Sequence, residues 1–513
     1  MIVVWFKRDL RTHDHLPLLL AARHGPVLPL YIIEPSLIFN ADASQRHYVF
    51  VRSALVELRQ RLAALGQPLV VRVGEAVEVF DRLHADHPID AIYAHMETGN
   101  LRSYERDLEV QAWAARQRVR MVEFPFSGVV RRLPNRDVWN DLRMARMELP
   151  PLPAPAALRP VNVEAGALPT VAELGLSDDG MRDIQQGGER AAHATLHGFL
   201  TTRGRTYHYG MSSPVTAFQV CSRVSVHLAW GTLTVRQAYH ALRKRQQERL
   251  SDGWATALSA FESRLFWRDH FIQKLEDAPD LEQRSLVPAY DGLRPSVDTD
   301  PEARQRFIAW RDGRTGYPLV DACMRALKAT GYLNFRMRAM IVSFASHDLW
   351  LDWRETGLVL ARWFTDYEPG IHWSQMQMQS GVNGNSTLRI YNPTTQATQH
   401  DPQGRFIRHW IPELRRVPDA FIHAPWLMPT ELQQSVGVRI GVDYPAPIVD
   451  HDQRWREARA VIAEMRQRPD VREQAAQALK KHGSRKRGGL PQRKARRPRQ
   501  AQASLFDDTL LSE

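Results

Sequence analysis

Cysteine is nearly absent. Cys221 and Cys323 are the two in a chain of 513 residues, and they lie far apart. That spacing rules out a cysteine-ligated cluster and argues against a disulfide framework; no metal site is expected. No stretch approaches the roughly 18 apolar residues needed to span a bilayer. The first eight residues place charge after a short apolar run, the wrong order for a secretion signal. Together these absences predict a cytoplasmic protein. A Gly-x-Gly-x-x-Gly is also missing after the first apolar run, so the usual dinucleotide fingerprint is not available.

What is present is ordinary in bulk. With 43% hydrophobic and 24% charged residues, the composition is that of a soluble globular protein, and the length suggests two to four domains. The net charge of +11 is uneven. Residues 480–500 hold ten Lys or Arg and no acid, and Asp507, Asp508 and Glu513 follow, so residues 1–479 carry only +4. Fourteen Trp is a high count; most will serve packing, and the rest can stack on a ring or relay electrons.

Apolar runs at 2–6, 27–33, 69–73 and 91–94 alternate with helical spacing at 46–65 and 76–83. This predicts a parallel, Rossmann-like sheet in an α/β domain over residues 1–130. Residues 131–190 include a Pro- and Ala-rich stretch and are expected to link two domains. From 191 to 460 the pattern is helical, including a long run at 335–352, and a C-terminal helix is expected over 461–482. From 483 to 513 the composition cannot bury a core and predicts disorder.

The chemistry concentrates late. Asp366 and Glu368 sit two residues apart, His372 and Trp373 follow at once, and Arg336 and Arg338 precede them. Such a set can wall a flat, redox-active ring. Ser222, Arg223 and Ser225 offer two hydroxyls and a guanidinium, a group suited to a pyrophosphate, although such clusters are often helix caps. Trp267-Arg268, the turn Gly313 to Pro318 with its continuation to Arg325, Arg336 to Arg354, Arg389 to Leu414 and the opening Trp5 to Arg11 complete a series. In that order, over about residues 1–460, they resemble the cryptochrome/DNA photolyase family.

The resemblance implies an α/β antenna domain, an all-α domain holding FAD, and either light-driven splitting of pyrimidine dimers in DNA by reduced flavin or blue-light signalling. It places Tyr207, Ser222, Arg223, Ser225, Arg268, Arg338, Asp366, Glu368 and His372 at the flavin, with Arg338 and Asp366 in a salt bridge and Glu368 accepting from the ring's N3–H. His372 stands where the family has Asn or Asp facing flavin N5. A histidine there is expected to change protonation near neutral pH and to donate to N5; the plainer reading is a satisfied polar residue at the pocket edge. Trp353 matches the middle of the family's electron relay, the proximal place falls on Met376 unless Trp373 substitutes, and the distal place falls near Asp300. On the lesion side the resemblance implies Arg264, Trp267, Met376, Met378 and Arg389, with Arg264 in place of a catalytic Glu. His95 to Asn100 lies where family members contact a second chromophore, a folate or deazaflavin left unassigned; a capped loop entering helix 103–117 explains the same residues.

The tail offers Arg485 to Arg487 and Arg493 to Arg499 as a polycation for duplex DNA. Gln502 to Phe506 resembles the short peptide with which bacterial DNA enzymes dock on the replication sliding clamp. The reading that follows is a FAD-dependent photolyase, with a cryptochrome-type photoreceptor as the alternative.

Overall fold

A computed structural model describes residues 1–384 and 387–485. The basic tail and the clamp-like peptide Gln502–Phe506 therefore lie outside the described residues, apart from Arg485. Among the described residues no helix is long and apolar enough to cross a membrane.

Five parallel strands form one sheet: β1 (Ile2–Phe6), β2 (Val27–Ile33), β3 (Val70–Val73), β4 (Ala91–His95) and β5 (Arg120–Phe124). Their order is β3-β2-β1-β4-β5, with Trp5 in register with Leu30 on one side and Ala94 on the other. β1 is buried throughout because both faces are covered. Ile2, Val4 and Phe6 meet α1 (Leu16–His24) and α2 (Gln45–Ala64). Val3 and Trp5 meet α3 (Ala76–Asp86) and α4 (Leu101–Gln117), where Phe80 meets Trp5 edge-on and stacks on Trp113. The strand order reverses between β1 and β4, which opens a crevice at their C-terminal ends, the usual ligand position in such sheets.

The expected linker is more built than its composition suggests. It contains α5 (Trp139–Glu148), and its remainder lies on the sheet domain. Leu158, Leu168, Val171 and Leu174 pack on one core, and Val161 and Val163 on the other. Proline removes backbone donors but not the apolar side chains between, so an extended segment can still bury alternate residues.

The rest is helical. α6 (Trp254–Asp277) packs closely on α9 (Pro369–Gln379): a Cβ at Gly370 would lie 2.6 Å from the Ile272 Cα. Between them run α7 (Phe335–Ser343) and α8 (Trp353–Trp363). The long helix expected over 335–352 breaks after Ser343 into a π-helical turn, Phe344–Asp348, and Trp350 then turns left-handed at φ 53°. In this turn His347 and Asp348 are buried, and Arg294 takes the Ser346 carbonyl. Polar side chains claiming the interior interrupt the regular ladder there. α10 (His451–Gln467) and α11 (Pro469–His482) close the described chain.

Candidate functional site

A polar wall forms in the helical domain. Arg203 donates to the carbonyls of Gln219, Cys221 and Ser222 at 3.1, 2.7 and 3.2 Å, pinning the turn that follows. In that turn Arg223 is left-handed, φ 60°, a conformation costing a non-glycine residue about 1–2 kcal/mol. Its guanidinium lies 3.8 Å from the Tyr332 ring centroid and 4.8 Å from that of Phe218. Its Nη1 is buried without a hydrogen-bond partner. Ser225 opens the next short helix.

Facing this turn, Arg338 of α7 donates to Asp366 Oδ2 at 2.9 Å and to the Leu333 carbonyl at 2.7 Å, with its guanidinium 3.9 Å from the Phe364 ring centroid. Burial pushes the Asp366 carboxyl up, but Arg338, Ser225 and Arg223 outweigh it and hold the group below its ordinary range. Although Ser225 is near, Asp366 Oδ1 makes no well-formed hydrogen bond. The wall thus holds a buried cation and a buried anion, each with one atom unfilled.

α9 carries the next group. Burial pushes the His372 imidazole down to about 4, so it is neutral at pH 7. Its Nε2 lies 2.9 Å from the Gly357 carbonyl, which can only accept, so Nε2 bears the proton and Nδ1 remains an acceptor. This corrects the expectation of a ring that charges near neutral pH and donates outward. Trp373 sits beside it, ring centroids 4.8 Å apart, and meets Trp353 edge-on at 5.9 Å. Gly357 makes this possible, since a Cβ there would lie 2.4 Å from the Trp373 ring. The Trp373 indole donates to Tyr367 Oη at 3.0 Å, and that hydroxyl donates to Asp42 Oδ2 at 2.8 Å, joining the two domains. Met376 is 2% exposed within the main core, which corrects its assignment as a substrate contact: it backs the wall. Met378 is half-buried.

The other expected residues spread around this centre. Glu368 pairs with Arg268 at 2.9 Å, and Arg268 also donates to the Leu228 carbonyl at 2.9 Å. Both line a small crevice between the domains with Lys7, Arg8 and Glu276. Tyr207 is buried against Phe199, with Arg264 nearby. Trp267 is half-buried and stacks on Phe271 at 5.8 Å, while Arg264 and Arg389 are exposed.

At the strand ends lies a second site that the sequence reading touched only through His95 to Asn100. Asn100 does cap α4, accepting from the Ser103 amide at 3.0 Å. The same residue lines a cavity of about 130 Å³ with Tyr31, His47, Arg106, Trp230 and Tyr367. Arg106 is buried and bridges Glu34, Glu97 at 2.6 Å and Asp107 at 2.9 Å. Nearby, Asp9 Oδ2 lies 2.7 Å from His95 Nδ1 and 3.0 Å from His15 Nε2. The Leu18 amide donates to His15 Nδ1 at 3.1 Å, so His15 Nε2 carries the proton and cannot ligate a metal. Asp9 is hydrogen-bonded to His95, while His15 Nε2 lies within ion-pair distance of it without a well-formed hydrogen bond.

Residues 2–132 match the family DNA photolyase, and residues 261–464 match the FAD binding domain of DNA photolyase. A cryptochrome DASH of Gloeobacter violaceus is 32% identical over 479 residues, 88% of this chain and 93% of that one. The chain belongs to the cryptochrome/DNA photolyase family. The deoxyribodipyrimidine photo-lyase of Escherichia coli K12 is 31% identical over 473 residues, covering 88% of this chain and 95% of that one. An archaeal photolyase from Sulfolobus tokodaii, solved with two FAD molecules, has a TM-score of 0.74 and 25% identity, covering 90% of this chain and 99% of that one. The family spans photolyases and DASH cryptochromes alike. The residues of the wall fit FAD: an unfilled buried guanidinium suits a pyrophosphate, and an unfilled buried carboxylate oxygen suits an N–H or O–H donor.

Proposed function

We propose that the chain is a light-driven DNA photolyase acting on UV-induced pyrimidine dimers. When bound, reduced FAD supplies the electron that splits the dimer. The protein supplies position and electrostatics. In this reading Ser222, Arg223 and Ser225 hold the pyrophosphate, Arg338 and Asp366 flank the ring, and Glu368 accepts from N3–H with the oxygen that Arg268 leaves open. His372 offers Nδ1 as an acceptor for a protonated N5. Trp267, Arg264, Met378 and Arg389 form the face for a flipped pyrimidine dimer. The observation that carries the proposal is the Arg223–Asp366 wall beside a neutral His372.

The second reading, a cryptochrome-type photoreceptor, is supported by the 32% identity to a cryptochrome DASH. At the proximal relay position Met376 cannot replace an indole as electron donor. Trp373 against Trp353 offers the replacement. A second chromophore of unassigned chemistry, folate, deazaflavin or another flavin, would occupy the cavity around Tyr31, His47 and Trp230; the two FAD molecules of the archaeal neighbour support this. Docking of Gln502–Phe506 on the sliding clamp completes the proposal.

The test is repair of duplex DNA carrying cyclobutane or (6–4) lesions, in light and in dark, with the flavin reduced beforehand. Light-dependent loss of one lesion is expected. A normal FAD spectrum with no loss of either would overturn the repair reading in favour of the receptor.

A further inference from the structure

One chain of contacts starts beside His372 and ends in the other domain. Trp353, Trp373, Tyr367 and Asp42 follow one another in it, and all four are buried. Trp353 meets Trp373 edge-on at 5.9 Å. The Trp373 indole donates to Tyr367 Oη at 3.0 Å, and Tyr367 Oη donates to Asp42 Oδ2 at 2.8 Å, both normal hydrogen-bond lengths. Asp42 is held from its other sides: Asn40 Nδ2 donates to Oδ1 at 2.9 Å and Asn100 Nδ2 to Oδ2 at 2.9 Å. The Tyr367 carbonyl accepts from Arg8 Nη2 at 2.7 Å, and His47 stacks alongside the phenol ring with centroids 6.0 Å apart. The phenolic oxygen is therefore fixed between an indole N–H and a carboxylate.

The two ends of this chain act oppositely on a missing electron. At Trp353 the Arg354 guanidinium lies 4.4 Å from the ring centroid. A cation over the face suits a neutral indole and opposes removal of an electron from it. Trp353 is also 1% exposed, so a vacancy there has no outlet to solvent. At Tyr367 the neighbour is a carboxylate. An oxidised phenol is a strong acid, and Asp42 Oδ2 already accepts the hydrogen bond along which its proton would move. The transfer turns a buried indole cation and a buried carboxylate into two neutral groups, which burial favours.

We propose that Tyr367, with Asp42 as its proton acceptor, is the electron donor that refills the Trp373–Trp353 pair when light reduces the flavin. Photoexcited oxidised flavin takes one electron from Trp373. Tyr367 passes one electron to the Trp373 radical cation and its phenolic proton to Asp42. A soluble thiolate then returns one electron to the tyrosyl radical while Asp42 returns the proton. The inference rests on the flavin site of the photolyase reading and deepens it.

The test is electron paramagnetic resonance of the FAD-loaded chain, frozen after blue light with the flavin oxidised at the start. A tyrosyl signal is expected, and it should narrow when the protein carries ring-deuterated tyrosine. Tyr367→Phe should lose that signal and leave a tryptophanyl one. Asp42→Asn should slow tyrosyl formation, followed by flash absorption, by about a hundredfold or more. Heavy water should slow it in the native chain. FAD absorbance and thermal melt of each variant separate loss of the path from loss of the fold. A tyrosyl signal that persists in Tyr367→Phe, formation at the native rate in Asp42→Asn, or a native chain with no tyrosyl signal would each overturn the inference. The last outcome needs no variant, so the inference can fail even where a substitution does not fold. Repair by the native chain with the flavin reduced beforehand does not use this path, so failure here and failure of the photolyase reading are distinguishable.

Discussion

The crevice at the strand ends and the wall in the helical domain are both buried and both charged, yet they are wired differently. Around Arg106 every arm of the guanidinium meets a carboxylate. Around Arg223 and Asp366 one donor and one acceptor stay unfilled. A buried ion network whose cation is paired on every arm contributes to holding a domain in one conformation, and breaking it leaves isolated charges. A network with gaps contributes less to the fold and holds its capacity for a ligand. The contrast assigns scaffold to the Arg106 network, beside the cavity proposed for a second chromophore, and cofactor binding to the Arg223–Asp366 wall.

Substitutions can break that contrast. The largest effect is expected for Arg106→Gln, which strands three acids and should lower unfolding stability by about 3–5 kcal/mol in urea titrations. A loss below about 1 kcal/mol would remove the scaffold reading. Acidification comes next. The His372 and His47 imidazoles, both pushed down to about 4 by burial, contribute stability that is complete above their ordinary value near 6.5 and is lost as pH falls toward 4. Each accounts for roughly 3 kcal/mol. Glu189, pulled down to about 2 by His13 and Thr12 against its burial, adds a further loss between about 4.5 and 2. A melting temperature flat from pH 7 to 4 would contradict this. Gly357→Ala should follow, at about 1–3 kcal/mol, because the new methyl meets the Trp373 ring; quenching of tryptophan fluorescence relative to the native chain reads the displacement. The smallest stability change is expected for Arg223→Gln, within about 1 kcal/mol, accompanied by loss of copurified FAD absorbance. Full FAD occupancy would show that the gap at Arg223 is not the cofactor's.

How far these regions could be read from the chain differs for the same reason. The sheet came from short apolar runs, which are local, and Arg338 with Asp366 came from a pattern within thirty-odd positions. The Tyr367–Asp42 bond joins residues 325 apart and needs the packed domains to exist. Tyr367 had one signal, its place between two acids. The neutral state of His372 was invisible because it depends on depth and on one carbonyl of another helix. The π-helical turn was hidden by an apolar pattern that fits a continuous helix equally well. Met376 was misplaced because helical position alone does not say which side faces the interior.

The chain between α5 and the helical domain has a consequence for dissecting the gene. By strand count the α/β unit ends at β5, but Leu158, Val161, Val163, Leu168, Val171 and Leu174 cover both of its cores. A fragment cut at residue 130 would expose that surface and is expected to aggregate. One cut near residue 188 would keep its own wrapping and is the better candidate for expression by itself.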